Sequence, residues 1–245
     1  MVDSSSGIAV VLVHGAFADA GSWALVTERL IAGDVPVRAI VNPLRGIASD
    51  AAYVASFINQ IDGPVLAVGH SYGGAIITNA VPQTNNVVGL VYVAAFAPDE
   101  GETVAGIIGR SYDSVLATAV LEYQYPTGGA DESATELIID PAKFRDVFTA
   151  DLPQRQSDIY GRSQRPVAAS ALGEETTMVG WKNLPVWAAV GTADRAAGSD
   201  VVRSMAQRAD ATITEIDGSH VIMISQPDMV TDVILTARNS VRRAS

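Results

Sequence analysis

Three residue types that can act together on a carbonyl group stand at informative places in this chain. Ser71 lies in VGHSYGG (68–74), two residues after Gly69 and two before Gly73. A hydroxyl becomes a useful nucleophile when a base takes its proton, an acid orients that base, and N–H donors receive the developing oxyanion. At neutral pH the base is expected to be a histidine. The chain has only three, His14, His70 and His220. His70 adjoins Ser71, and neighbours on a tight turn point apart, so a structural role is expected. His14, in HGA, is expected to hold its own loop in shape. His220, in DGSHVIMISQPD, is the expected base. Asp194, in VGTADR, is the expected acid, with Asp217 as the alternative. The expected oxyanion donors are the backbone N–H groups of Tyr72, after the serine, and Ala16, in the loop after the first strand.

The elements that must position these residues are legible as alternating runs. IAVVLV (8–13), VRAIV (37–41), PVLAV (64–68), VVGLVYVAA (87–95), LPVWAAVGT (184–192) and ATITEI (211–216) read as strands, several of them apolar throughout as befits burial on both faces. Helical patterns separate them. Ser22 and Ser49 are the expected N-caps of the first two helices, and Gly33 the expected end of the first. The last helix starts near Pro227, with Met229, Val230, Val233, Ile234, Ala237 and Val241 on one face. The fold class is therefore α/β, a mostly parallel sheet of about six strands flanked by helices. Residues 1–97 and 184–245 form the core. The insertion, 98–183, breaks the rhythm and reads as helical pieces near TVAGIIG, SVLATAVLEY, DPAKFRDVFTADL and RPVAASALG. Ser71 then falls where a strand ends and a helix begins, and Asp194 and His220 follow the last two strands. That is the carboxyl edge of a parallel sheet, where ligands bind.

Bulk properties narrow the function. The 245 residues are 48% hydrophobic and 18% charged, which suits a folded domain with a large core. A net charge of −11 argues against nucleic acid and against anionic membrane surfaces. The absence of cysteine excludes disulfides, thiolate zinc sites and cysteine nucleophiles. Three scattered histidines make a poor metal set, and neither a phosphate loop nor a dinucleotide fingerprint is present, so no cofactor is expected. MVDSSSGIAVVLVHG lacks a basic start and a long apolar run, which points to a cytoplasmic protein.

The motifs LVHGAFADAGSW, VGHSYGG, VGTADR and GSHVIMISQPD, in this order, resemble the oxyanion loop, elbow, acid loop and histidine loop of the α/β-hydrolases. The similarity is greatest to the small branch that holds plant methylesterase-like esterases, hydroxynitrile lyases and their bacterial relatives, and it covers residues 8–97 and 184–241. The resemblance implies a Ser71–His220–Asp194 triad and a helical cap made by the insertion. Hydroxynitrile lyases of this branch carry a lysine after the histidine and a threonine in the oxyanion loop. Here Val221 follows His220, the loop reads His14, Gly15, Ala16, and the only lysines are Lys143 and Lys182. This departure favours cleavage of a small or medium apolar carboxylic ester through an acyl-enzyme. The alternatives are cyanohydrin or other C–C cleavage, cofactor-free oxygen chemistry, and a ligand-binding receptor that keeps the triad. Phe17, Trp23, Phe96, Tyr123, Tyr125 and Trp181 are the candidate pocket residues; oligomeric state is left open.

Overall fold

The computed structural model describes residues 7–129 and 132–244. The opening MVDSSS, and Ala130 and Asp131 of the turn-rich YPTGGADES, lie outside the described residues. Six strands, β1 (Ala9–Val13), β2 (Val37–Ile40), β3 (Val65–His70), β4 (Val87–Val93), β8 (Val186–Gly191) and β9 (Thr212–Ile216), form one sheet in the order β2-β1-β3-β4-β8-β9. Every pairing in it is parallel. β1, β3 and β8 are buried along their whole length, which is why their sequences are apolar without alternation. The outermost strands β2 and β9 are only partly buried and carry Arg38 and Glu215.

The helices are α1 (Ala24–Ala32), α2 (Ile47–Ile58), α3 (Tyr72–Ala80), α4 (Val104–Ile108), α5 (Phe144–Phe148), α6 (Gln154–Ser163), α7 (Ala169–Gly173), α8 (Ser199–Arg208), α9 (Ile222–Ser225) and α10 (Pro227–Ala244). α1 packs with α10 and α2 with α3, and the two pairs flank the sheet. α10 starts at Pro227 as expected and buries Val230, Val233, Ile234, Ala237 and Val241, but Met229 faces solvent. Among the described residues no helix is long and apolar enough to cross a membrane.

Two caps differ from expectation. A short 3-10 turn, Ala20–Trp23, precedes α1, and Asp19 caps it by accepting from the Gly21 N–H; the Ser22 hydroxyl instead donates to the Asp19 carbonyl. α2 begins at Ile47, two residues before Ser49, and its first N–H groups, of Ile47 and Ala48, donate to the Glu174 carboxylate at 2.7 and 3.1 Å. That cap comes from 126 residues away, so no local pattern announces it.

The segment between β4 and β8 is not wholly helical. β5 (Val120–Pro126), β6 (Ser133–Ile139) and the two-residue β7 (Val167–Ala168) form a separate antiparallel sheet, β5-β6-β7. SVLATAVLEY therefore runs from a 3-10 turn into a strand. Its Ala, Leu and Glu favour a helix locally, and pairing with SATELII overrides that weak preference.

Candidate active site

β3 delivers the chain into a sharp corner at Ser71, which holds φ +53° and ψ −124°. A side-chain-bearing residue kept there costs on the order of 1–3 kcal/mol, so the surroundings must hold it. The Ser71 carbonyl accepts from the N–H groups of Gly74 at 2.9 Å and Phe96 at 3.2 Å. Gly73 is needed for close approach: a Cβ there would stand 2.4 Å from the Val13 carbonyl oxygen. Gly15 meets the corner from the other side, where a Cβ would lie 2.5 Å from Ser71 Cβ. Ser71 Oγ makes no hydrogen bond among the described residues, and the residue is 6% exposed.

Asp194 and His220 are brought into direct contact. His220 Nδ1 donates to Asp194 Oδ2 at 2.8 Å, and both side chains are 1% exposed. Asp194 Oδ1 accepts from the N–H groups of Ala196 at 2.9 Å and Ala197 at 3.0 Å, so both oxygens are partnered and the carboxylate cannot swing. Ser199 Oγ accepts from the Asp194 N–H at 3.0 Å and donates to the Gly191 carbonyl at 2.7 Å, which locks the loop to the end of β8. With Nδ1–H hydrogen-bonded to Asp194, Nε2 is the ring nitrogen left to face a substrate or nucleophile. Asp217 is exposed and stands apart from this pair.

The other histidines are buried and built in. His14 Nδ1 donates to the Gly15 carbonyl at 2.8 Å, and its Nε2 accepts from the Asn42 N–H at 2.9 Å, tying the first loop to the chain leaving β2. His70 Nε2 donates to the carbonyl of His220 at 3.0 Å, and the two rings stand 4.7 Å apart. Burial holds both imidazoles below the usual histidine range, furthest for His70, so both are neutral. The backbone N–H groups of Ala16 and Tyr72 donate to no acceptor among the described residues. Tyr72 is the first residue of α3, where a helix leaves its N–H groups free. Its hydroxyl donates to Asp50 of α2 at 3.0 Å. No group of three or more His, Cys, Asp or Glu able to hold a metal occurs among the described residues.

The segment from α5 to α6 covers the histidine. Phe148 packs its ring 4.7 Å from that of His220 and 6.2 Å, edge-on, from Phe17. Beside them lies a cavity of about 160 Å³, whose walls include Phe17, Phe144, Phe148, Tyr160, Val221 and Ile224. Of the six candidate pocket residues, Phe17 alone lines it. Trp23 packs edge-on to His70, and Phe96 lies behind the corner through its N–H bond to Ser71. Tyr123 is half-exposed on β5, Tyr125 lies under the Arg45 guanidinium at 4.3 Å, and Trp181 donates to the Pro98 carbonyl at 2.9 Å. The unforeseen residues are Phe144, Phe148, Tyr160 and Ser199. The first two are spaced i,i+4, a visible apolar pair on one helical face.

The chain is 27% identical over 180 residues to a pheophorbidase of Raphanus sativus, a match covering 66% of each, so it spans just under two thirds of that relative's length. Among solved structures, polyneuridine aldehyde esterase superposes with a TM-score of 0.79 at 17% identity, covering 94% of this chain and 99% of the other. A pyrethroid hydrolase of Sphingobium faniae gives 0.75 at 20% identity, covering 96% and 98%. The sequence also matches the profile of the alpha/beta hydrolase family over residues 10–233, nearly its whole length, and with the parallel sheet and the corner at Ser71 this places the chain in that family.

Proposed function

We propose that the chain hydrolyses small or medium apolar carboxylic esters through an acyl-enzyme on Ser71. The observation that carries this reading is the buried His220–Asp194 pair, whose imidazole stands 4.7 Å from the ring of His70, the neighbour of a serine held at positive φ. His220 Nε2 takes the proton as Ser71 Oγ attacks the carbonyl carbon, and Asp194 holds the tautomer and stabilises the imidazolium. The free N–H groups of Ala16 and Tyr72, with the positive end of α3, receive the oxyanion. The C–O bond to the alcohol breaks as His220 returns the proton to the leaving oxygen. Water then attacks the acyl carbon with His220 again as base, and the acid and free serine result. Proton transfer requires Ser71 Oγ and His220 Nε2 to stand within hydrogen-bond reach of each other when substrate is bound.

The segment 98–183 serves as the cap. Its aromatic residues Phe144, Phe148 and Tyr160, with Phe17 of the core, suit an apolar group. The cavity, at about 160 Å³, is close in size to a cavity of about 150 Å³ that takes a benzene ring, and so suits a short one. Lys143 donates to the Thr118 carbonyl and Lys182 pairs with Asp99, so neither lysine is offered to a cyanide leaving group, which favours ester cleavage. The names of the esterase and hydrolase relatives support the same reading. The test is hydrolysis of p-nitrophenyl esters, acetate through octanoate, by the protein and by Ser71→Ala. Turnover biased to short chains is expected, falling by about 10³-fold or more in the variant with its fold intact. Full activity in Ser71→Ala would overturn the mechanism.

A further inference from the structure

One contact between the insertion and the histidine loop goes beyond covering the site. Asp151 stands in the turn between α5 and α6. Its Oδ2 accepts from the backbone N–H of Ser219 at 2.9 Å, and its Oδ1 accepts from the Ser219 hydroxyl. Ser219 is the residue before His220 and is 2% exposed, so its buried N–H depends on this carboxylate, while its hydroxyl also reaches the Phe148 carbonyl of the same insertion at 3.3 Å. Gly218 makes the approach possible, because a Cβ there would stand 2.9 Å from Asp151 Oδ2. The turn carrying Asp151 is itself fixed by the buried Thr149–Ser157 hydroxyl pair at 2.6 Å and by buried Leu152. Burial opposes ionisation of Asp151, yet hydrogen bonding, that of Ser219 foremost, outweighs it and holds the carboxyl below its usual range, so it is a carboxylate at neutral pH. On the far side, His70 Nε2 grips the carbonyl of His220.

We infer that Asp151 is a positioning residue for His220: the insertion clamps Ser219 from one side while His70 holds the His220 carbonyl from the other, and the two together aim Nε2 at Ser71. This rests on the reading of His220 as the general base. The clamp spans 68 residues of sequence, so placement of the insertion and alignment of the imidazole are a single event. A displacement of about 1 Å in a reacting group can cost about 10²-fold in rate. Losing the clamp frees the backbone one residue from the imidazole.

The test compares wild type, Asp151→Ala, Asp151→Asn, Ser219→Ala and the double alanine variant on a short-chain p-nitrophenyl ester. Asp151→Ala is expected to lower kcat by about tenfold to hundredfold with KM changed by less than about threefold. Ser219→Ala keeps the backbone N–H bond and should lose less. Asp151→Asn, which keeps one acceptor oxygen, should fall between wild type and alanine. The double variant should be no worse than Asp151→Ala, because the two residues act as one unit. The second readout is the proton resonance of His220 Nδ1–H. It should be sharp in wild type and Ser71→Ala, and broadened in Asp151→Ala while the remaining spectrum stays dispersed. Unchanged kcat with a sharp resonance overturns the proposal. So does a lowered thermal midpoint with wild-type kcat below it, which would make Asp151 a fastening only. If the wild type does not turn over and the resonance still broadens, the clamp stands and the esterase reading falls.

Discussion

Ser71 occupies a left-handed conformation that neither Gly69 nor Gly73 shares, so the glycines around it serve proximity and not dihedral freedom. Gly15 shows this best, since it lies on a different loop and is pressed against the serine itself. In Gly15→Ala the new methyl would need the space of Ser71 Cβ, 2.5 Å away. Backbone must shift on one side or the other. We expect a stability loss of about 1–3 kcal/mol in urea denaturation and a fall in ester turnover of more than tenfold. Wild-type turnover would show that the first loop can recoil without disturbing the serine. At this scale the sequence exposes Ser71, Asp194 and His220 because each sits at the end of a recognisable strand. It does not expose Asp151 or Phe148. Their partners are reached only through tertiary contact, and an Asp in a turn or a Phe on a short helix reads the same whatever it touches.

Among the elements, the inner strands β1, β3, β4 and β8 are readable because burial on both faces leaves few polar residues in them, and the outer β2 and β9 because β-branched residues recur between turns. The β5–β6 hairpin was not, since its strands are half-exposed and built partly from helix formers. α6 escaped for the opposite reason. It has almost no apolar stripe, and buries Ser157 and Gly161, the latter against Phe144. Contacts between elements also carry the pH behaviour. Asp50 of α2 is fully buried, accepts the Tyr72 hydroxyl at 3.0 Å and the Arg45 N–H, and so fixes the start of α3. Burial raises its carboxyl above the ordinary value despite those hydrogen bonds. A raised carboxyl binds more protons folded than unfolded. Its contribution is complete below the ordinary carboxylate pKa and is lost as pH rises through the folded value. Asp50→Asn is neutral throughout and can still accept from Arg45 N–H while donating to the Tyr72 oxygen. The thermal midpoint of Asp50→Asn minus that of wild type should therefore grow more positive from pH of about 4 to about 7. A constant difference would mean that Asp50 titrates alike in both states.

For the molecule as a whole, the insertion has to return to one place on the core, because Phe148 and Asp151 meet His220 and Ser219 only there. Several independent ties set that place: Arg45 with Glu136 at 3.0 Å, Glu174 on the N-terminus of α2, Asp151 on Ser219, and Glu102 between two arginines. Glu102 lies where the chain leaves β4 for the insertion. It meets Arg208 at the end of α8 at 2.6 Å and Arg110 at 2.7 Å, and accepts the Asp99 N–H at 2.8 Å. Burial works against its charge, but these donors outweigh it and bring its pKa down to about 2. A depressed carboxyl stabilises the fold above its unfolded pKa, and that contribution is lost as pH falls through the folded one. Glu102→Gln should therefore lower stability at neutral pH by on the order of 1 kcal/mol, a modest figure because both arginines reach solvent and are screened. The deficit should shrink from the ordinary glutamate range downward and vanish near pH of about 2. Chemical denaturation of both proteins across that range measures it, and raising the salt concentration at neutral pH should reduce it. An equal deficit at every pH would assign the loss to packing, and the ion triad would then have no part in seating the insertion.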